Sequence, residues 1–284
     1  MKRATLFIGS LISLIFIIIV LENIDFQQVW LIIQSIHWYI LIPAIIIQLA
    51  SYWVRSIRWK VMIENIKIIS AGKLFPIICI SYMANNTLPL RIGEIVRAYS
   101  LGEKEKISIM TSFSSVLLER IFDGLTLLLF LFVTSLLYPF PAWVKQIGIL
   151  SFIFFFVAFT FVVILVRKKQ HTVQIIAFLN KIFSKKIVEK IYKITNQFID
   201  GFEIINNVKS FLIIFLYSIL IWIMEAFLFY AMSVAFNIPN PLVASFFSLV
   251  VVNLGVMIPS SPGYIGTFEY FVSKSLEVFR VTKE

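Results

Sequence analysis

Cysteine is nearly missing from this 284-residue chain and charge is thin: Cys79 is the single thiol, and Asp, Glu, Lys and Arg together make up 14% of the residues. One cysteine can form no internal disulfide, and in an apolar segment it reads as a small buried hydrophobe, so redox chemistry is not indicated. No nucleotide-binding glycine signature, metal-ligand cluster or nucleophile–base arrangement is visible, so nothing points to a cofactor, a metal or a catalytic residue. Also missing is any stretch with the ordinary polar mix of a soluble domain, and the length leaves no room for a bundle plus a typical catalytic domain. Residues 1–284 therefore read as one domain. What is present is apolar: 60% hydrophobic residues and a mean hydropathy of +0.95, the composition of an integral membrane protein. The net charge of +10 reports topology and does not argue for a nucleic-acid partner.

Residues 4–21 follow Lys2 and Arg3, are long enough to cross a hydrocarbon core, and have no small-x-small cleavage site after them, so they read as an uncleaved first helix. Further spans are expected at 38–54, 108–137, 148–166, 210–236 and 241–258, which makes six. Lys and Arg alternate between the connections. Residues 22–37 hold none and 138–147 only Lys145, whereas Arg55, Arg58, Lys60, Lys67 and Lys73 follow the second span and nine basic residues lie in 167–209. The positive-inside rule then places both termini and the basic loop in the cytoplasm. Residues 74–89 and 259–272 are too short or too polar to cross, and the charge pattern needs the chain on one side before and after 74–89, so each reads as a re-entrant hairpin. With four spans between them, the two hairpins come out parallel. The apolar spacing among the lysines of 167–209 fits either an amphipathic helix on the anionic inner leaflet or a solvated loop that fixes orientation. His37, Trp38 and Tyr39 read as interface anchors.

Charge inside apolar segments is where function is expected. The run Asn85-Asn86-Thr87-Leu88-Pro89-Leu90-Arg91-Ile92-Gly93-Glu94-Ile95-Val96-Arg97 sets two Arg and a Glu around a Pro/Gly break. In the third span, Glu119, Arg120 and Asp123 lie deep, Asp123 about 24 Å from Ile107 at 1.5 Å per residue. Arg120 and Asp123 can pair at i, i+3, which leaves a carboxylate whose partner is expected to be Arg91 or Arg97, with Arg91 and Glu119 the pair expected to be coupled across space. Such a cluster either locks the hairpin in place or faces a substrate. Glu225 stands alone in its own helix, either carried neutral or met by an Arg from elsewhere. Arg55 and Arg58 at a cytoplasmic helix end read as orientation charges or, alternatively, as phosphate-binding surface. Pro89, Gly93 and Glu94 are echoed by Pro262, Gly266 and Glu269, as in transporters whose broken segments meet at mid-membrane.

These motifs carry a resemblance. Asn86, Leu88-Pro89, Arg91, Gly93-Glu94 and Arg97, then Glu119-Arg120 with Asp123, then Pro259, Pro262-Gly263, Gly266-Thr267 and Glu269 resemble the signature of the flippase-like membrane family, which includes the transmembrane domain of bacterial lysyl-phosphatidylglycerol synthase/flippases. The resemblance implies an all-α polytopic protein of the cell membrane that moves a lipid with a charged headgroup between leaflets. It implies membrane lipids as partners, whether phospholipid, aminoacylated lipid or polyprenyl phosphate, and leaves room for a separate lipid-modifying enzyme. The expected headgroup path runs through Asn86, Arg91, Glu94, Arg97, Glu119, Arg120, Asp123, Glu225 and Glu269, with hinges at Pro89, Gly93, Pro262, Gly263 and Gly266. The alternatives are an intramembrane lipid-linked transferase and a non-catalytic partner whose charges are structural. The chain contains no aminoacyl-transferring or nucleotide-sugar domain, so lipid aminoacylation is not expected of it alone.

Overall fold

The computed structural model describes residues 14–21, 24, 26–35, 41–88, 92–169, 184–258 and 261–281, and all regular structure among them is helical. In chain order the helices are α1 (residues 14–21), α2 (Phe26–Ser35), α3 (Leu41–Ile63), α4 (Ala71–Thr87), α5 (Gly93–Glu105), α6 (Ile109–Leu137), α7 (Ala142–Arg167), α8 (Lys185–Asp200), α9 (Val208–Ala235), α10 (Pro241–Gly255) and α11 (Thr267–Glu277). Short 3-10 turns cover Glu203–Asn206 and Pro262–Tyr264.

Among the described residues, α7 and α9 are long and apolar enough to cross a membrane. α6, with 29 residues, is longer than either and would span about 43 Å at 1.5 Å per residue. Its apolar run is interrupted at the centre: Asp123 stands fourteen residues from each end. Glu119, Asp123 and six of its Ser and Thr residues are buried, so α6 is the polar spine of the bundle.

The connections gather at two ends. At the basic end, Ser210 Oγ of α9 donates to Glu64 Oε1 after α3 at 3.1 Å, and Lys67 Nζ lies 2.9 Å from Glu105 Oε2 of α5. That hydrogen bond holds the Glu105 carboxyl below its usual range. Lys169, after α7, reaches Asp200 at 2.8 Å and Glu203 at 2.6 Å, which keeps its ammonium protonated above the ordinary lysine range. At the other end, Tyr138 Oη after α6 donates to Val278 O after α11 at 3.2 Å, and the Phe140 ring stacks on Phe247 at 4.2 Å. Ile238, in the α9–α10 turn, and Phe279 belong to the same buried cluster.

This arrangement corrects two expectations. Residues 241–258 do not form a full span: α10 has only 15 residues and packs antiparallel on α11, with Ser275 Oγ donating to Ser248 Oγ at 2.7 Å and Phe271 covering Gly255. The chain turns back because Gly263 (φ 70°) and Gly266 (φ 86°) take left-handed backbone that glycine accepts without strain. The tail consequently returns to the Tyr138 end, opposite the basic loops, instead of lying beside them. α10 and α11 are thus the two arms of one hairpin.

The first hairpin is longer than expected. Residues 74–87 are one arm of it, inside α4, and α5 is the other arm. Leu88 leaves the helix in extended conformation directly before Pro89, as the residue before a proline prefers. Across the break, Gly93 N donates to Asn85 Oδ1 at 2.8 Å and Ser81 Oγ donates to Gly93 O at 2.9 Å. A Cβ on Gly93 would overlap Ser81 O and Asn85 Oδ1, so the close approach of α5 to α4 requires glycine there. Gly93→Ala should destabilise the protein by about 1–3 kcal/mol through overpacking, read as a lowered unfolding temperature in detergent.

The two hairpins start from opposite ends and meet. The Pro262–Tyr264 turn packs on α4, with Gly263 about van der Waals distance from Asn86 O: a Cβ there would lie at 3.5 Å. Within the bundle the two hairpins therefore point toward each other from opposite ends, not in the same direction as the parallel arrangement expected. Of the amphipathic segment, residues 170–183 lie outside the described residues. α8 docks on α6, burying Val188 and Ile199 and accepting a hydrogen bond from Thr111 Oγ1 at Gln197 O, 2.8 Å. Ile187 and Tyr192 remain exposed.

Candidate functional site: a buried ion cluster at the hairpin junction

Ser51, Arg55 and Arg58 on α3 are spaced i, i+4, i+7 and share a helix face, and Ser218, Trp222 and Glu225 on α9 repeat the spacing. The two faces meet. Ser51 Oγ and Arg55 Nη2 both donate to Glu225 Oε1, at 2.8 and 3.0 Å, and Arg58 Nη1 donates to Ser218 Oγ at 2.7 Å. Arg55 also lies over the rings of Tyr82 and Trp222, at 5.4 and 5.5 Å.

α6 adds the central carboxylates. Arg58 Nη1 reaches Asp123 Oδ1 at 2.6 Å and its Nη2 lies 3.1 Å from Glu119 Oε1, while Trp222 Nε1 donates to Asp123 Oδ1 at 3.0 Å. From α5, Arg97 grips Glu119 with both fork nitrogens, at 2.9 and 2.8 Å, the bidentate geometry that suits a guanidinium. Its guanidinium carbon stands 3.8 Å from the centre of the Trp59 ring, and Trp59 is fixed by Nε1–H donation to Ser115 Oγ at 3.1 Å. Arg120 completes the ring of charges, 3.1 Å from Glu119 and 3.5 Å from both Glu94 and Asp123.

Four guanidiniums thus face four carboxylates. Buried ions of this kind persist only if paired, since an uncompensated charge costs several kcal/mol. Exposure divides the cluster: the side chains of Arg58 and Glu119 are fully buried, whereas Arg120 is 31% and Glu94 17% exposed. The two longest pairs, both at 3.5 Å, are Arg120–Glu94 and Arg120–Asp123, and Arg120–Glu94 is the more exposed of them. Around it Arg120 Nε, Glu94 Oε2 and Asp123 Oδ2 make no hydrogen bond among the described residues.

Of the expected path residues, Glu94, Arg97, Glu119, Arg120, Asp123 and Glu225 are joined in this cluster. Glu119 is paired by Arg97, one of the two expected partners, and Glu225 meets Arg55 from another helix. Arg91 and Pro89 lie outside the described residues. Asn86 is exposed at the end of α4, next to Gly263. Glu269 serves as a cap for α11, its Oε2 accepting from Gly266 N at 2.6 Å. The reading of Arg55 and Arg58 as orientation charges is overturned: they are 3% and 0% exposed, because α3 continues to Ile63 and carries them into the bundle. Asn85, not its neighbour Asn86, holds the break. Two signals for the missed residues were available, the i, i+4, i+7 spacing of Ser51, Arg55 and Arg58 and the equal spacing of Ser218, Trp222 and Glu225.

An all-helical bundle of this composition, with a buried ion cluster built by α3, α5, α6 and α9, is a helical membrane protein. The chain belongs to the family described as the lysylphosphatidylglycerol synthase TM region, which matches residues 6–284. Among curated proteins it is 24% identical over 304 residues to the glycosyltransferase AglD of Haloferax volcanii, covering 94% of this chain and 48% of that protein. It is 26% identical over 261 residues to a UPF0104 membrane protein of Methanothermobacter thermautotrophicus, covering 86% of this chain and 75% of that one. A UPF0104 membrane protein of Methanocaldococcus jannaschii is likewise 26% identical over 243 residues, covering 79% of this chain and 72% of that one. The chain thus spans about half the length of the Haloferax protein and about three quarters of the other two. No solved structure matches.

Proposed function

We propose that this protein is a lipid translocase of the cell membrane, a single domain over residues 1–284 that passes a phosphate-bearing or otherwise charged headgroup along the ion cluster. The observation that carries the reading is the meeting of two hairpins from opposite ends beside a cluster with one partly exposed edge. A headgroup crossing about 30 Å of hydrocarbon needs a polar path, and opposed broken segments can supply its two halves. The lysine-rich end faces the cytoplasm. In this reading the first helix, α3, α6, α7 and α9 cross, α4–α5 enters from the cytoplasmic side and α10–α11 from the outside. The N-terminus is then cytoplasmic and the segment after α11 is outside.

A phosphate would exchange with Glu94 for the accessible Arg120, whose planar fork donates two hydrogen bonds. Glu94, released, would accept from an amino headgroup, and re-pairing of Arg120 with Glu94 would follow release. Membrane lipids are the partners in this account. The name of the Haloferax relative favours a second reading, in which this domain works beside a separate lipid-modifying enzyme or itself holds the lipid-linked substrate of a transfer. The test is a leaflet-resolved headgroup assay in proteoliposomes. Arg120→Gln and Glu94→Gln should remain folded, because the edge is partly solvated, yet translocate at least about tenfold more slowly, the loss expected from a 1.4 kcal/mol weaker transition-state contact. A parent that moves no headgroup lipid but turns over a lipid-linked donor would replace the translocase with the transferase.

A further inference from the structure

Among the described residues, α7 meets the second hairpin only near the Tyr138 end, where Val144 joins the buried cluster of α10 and the Trp143 ring lies 6.5 Å from that of Phe247. Elsewhere its packing is with α6, α8 and the Glu203–Asn206 turn, and between it and α10–α11 lies an open cavity of about 390 Å³. The cavity is walled by Ile147 and Ser151 of α7 and by Val251, Leu254 and Phe271 of the hairpin, and extends to Met257 near the hairpin tip. It shares Trp143, Ile147 and Phe271 with a second, more polar pocket of about 560 Å³ at the Tyr138 end, lined also by Tyr270, Lys274 and Glu277. Lys274 Nζ is hydrogen-bonded to both oxygens of Glu277, at 3.1 and 2.8 Å, and its side chain is 41% exposed.

We infer that this slot is a binding site for one phospholipid of the leaflet at the Tyr138 end, with an acyl chain between α7 and the hairpin and the phosphate on Lys274. The polarity gradient has the direction of a lipid in that leaflet: charge and aromatic residues at the bundle end, aliphatic walls toward mid-depth. Water gains nothing in the apolar section, where few polar atoms are available to hold it. The size lies within the roughly 300–1,000 Å³ of ordinary ligand sites. Lys274 and Glu277 form a neutral pair whose ammonium complements the phosphate and whose carboxylate complements the choline of a zwitterionic headgroup, and Trp143 has the amphipathic ring favoured at headgroup level. The chain so held would lie against the arm that leads to the hairpin junction. The inference rests on the membrane reading above but not on transport: a protein that binds this lipid and translocates none keeps the site and loses the translocase.

The test uses the full chain in nanodiscs of phosphatidylcholine containing a diazirine-tailed phosphatidylcholine probe. Photolabelling should concentrate on peptides around Ile147–Phe155 and Val250–Phe271, and Ser151→Trp, which plugs the slot, should abolish it there while leaving the unfolding temperature unchanged. Val251→Phe fills the same space from the hairpin if the first variant does not fold. Lys274→Gln should reduce the labelling severalfold and Lys274→Arg should restore it. Equal labelling of the groove and of the lipid-facing side at Phe132 and Phe215, unaffected by either plug, would mean bulk lipid only and would overturn the site.

Discussion

Arg58→Gln should be the most damaging single substitution in the chain, lowering stability by about 3–5 kcal/mol, the cost of breaking a buried ion pair. The side chain is fully buried and holds Asp123 at 2.6 Å while lying 3.1 Å from Glu119, so its loss leaves an excess of negative charge at the centre of α6. Unfolding followed by tryptophan fluorescence in detergent should show the loss. Pairing it with Asp123→Asn, which removes the stranded charge and keeps a polar side chain for Trp222, should recover part of it. Had Arg58 been an orientation charge at a helix end, the single variant would unfold within a few degrees of the parent.

The second large effect is expected between Arg97 and Glu119. Two fork hydrogen bonds, full burial and the Trp59 ring under the guanidinium make this the most tightly defined contact between the first hairpin and α6. A double-mutant cycle with Arg97→Met and Glu119→Gln should give a coupling of about 1–3 kcal/mol, toward the upper end for residues in direct contact. Coupling below about 0.5 kcal/mol would mean that the hairpin is held by apolar packing and Gly93 alone. Arg58 and Arg120 still balance Glu119 when Arg97 is replaced, which limits that single variant, whereas Glu119→Gln leaves Arg97 without its carboxylate and should be the more damaging of the two.

Much of the fold was legible because length and hydropathy constrain long helices strongly. The expected 108–137 and 210–236 agree within two residues with Ile109–Leu137 and Val208–Ala235, and 148–166 falls inside Ala142–Arg167. What failed were boundaries that charge alone was asked to set. Arg55 and Arg58 resembled the end of a crossing, yet a helix continues through arginines when a facing helix supplies carboxylates, and Glu225, Glu119 and Asp123 lie far away in sequence. The fifteen residues of α10 have the hydropathy of a span, and only the packing of Ser248 on Ser275 and Gly255 under Phe271 shows that the chain doubles back. Read as a full span, α10 makes the hairpins parallel; packed on α11 as it is, it leaves them opposed and brings Val278 beside Tyr138.

The site was legible in its residue types and half legible in its pairing. Glu119, Arg120 and Asp123 in an apolar run require partners, and Arg97 was one of the two candidates named for them. The i, i+4, i+7 sets on α3 and α9 were visible, but nothing in the sequence says that those two faces meet. Glu269 illustrates the opposite case, a charge in a Pro/Gly segment whose carboxylate caps the first turn of α11.

The central claim is that a headgroup passes where the hairpin tips meet, and tethering the tips tests it most directly. In a Cys79→Ser background, Asn86→Cys and Pro262→Cys place one thiol on each of two contacting elements, within reach of a short bismaleimide. In proteoliposomes the cross-linked protein should translocate no headgroup lipid, while each single-cysteine protein treated with the same reagent, its tips still free to part, should continue to translocate. Cross-linked protein that moves lipid as fast as the uncross-linked parent would contradict the account.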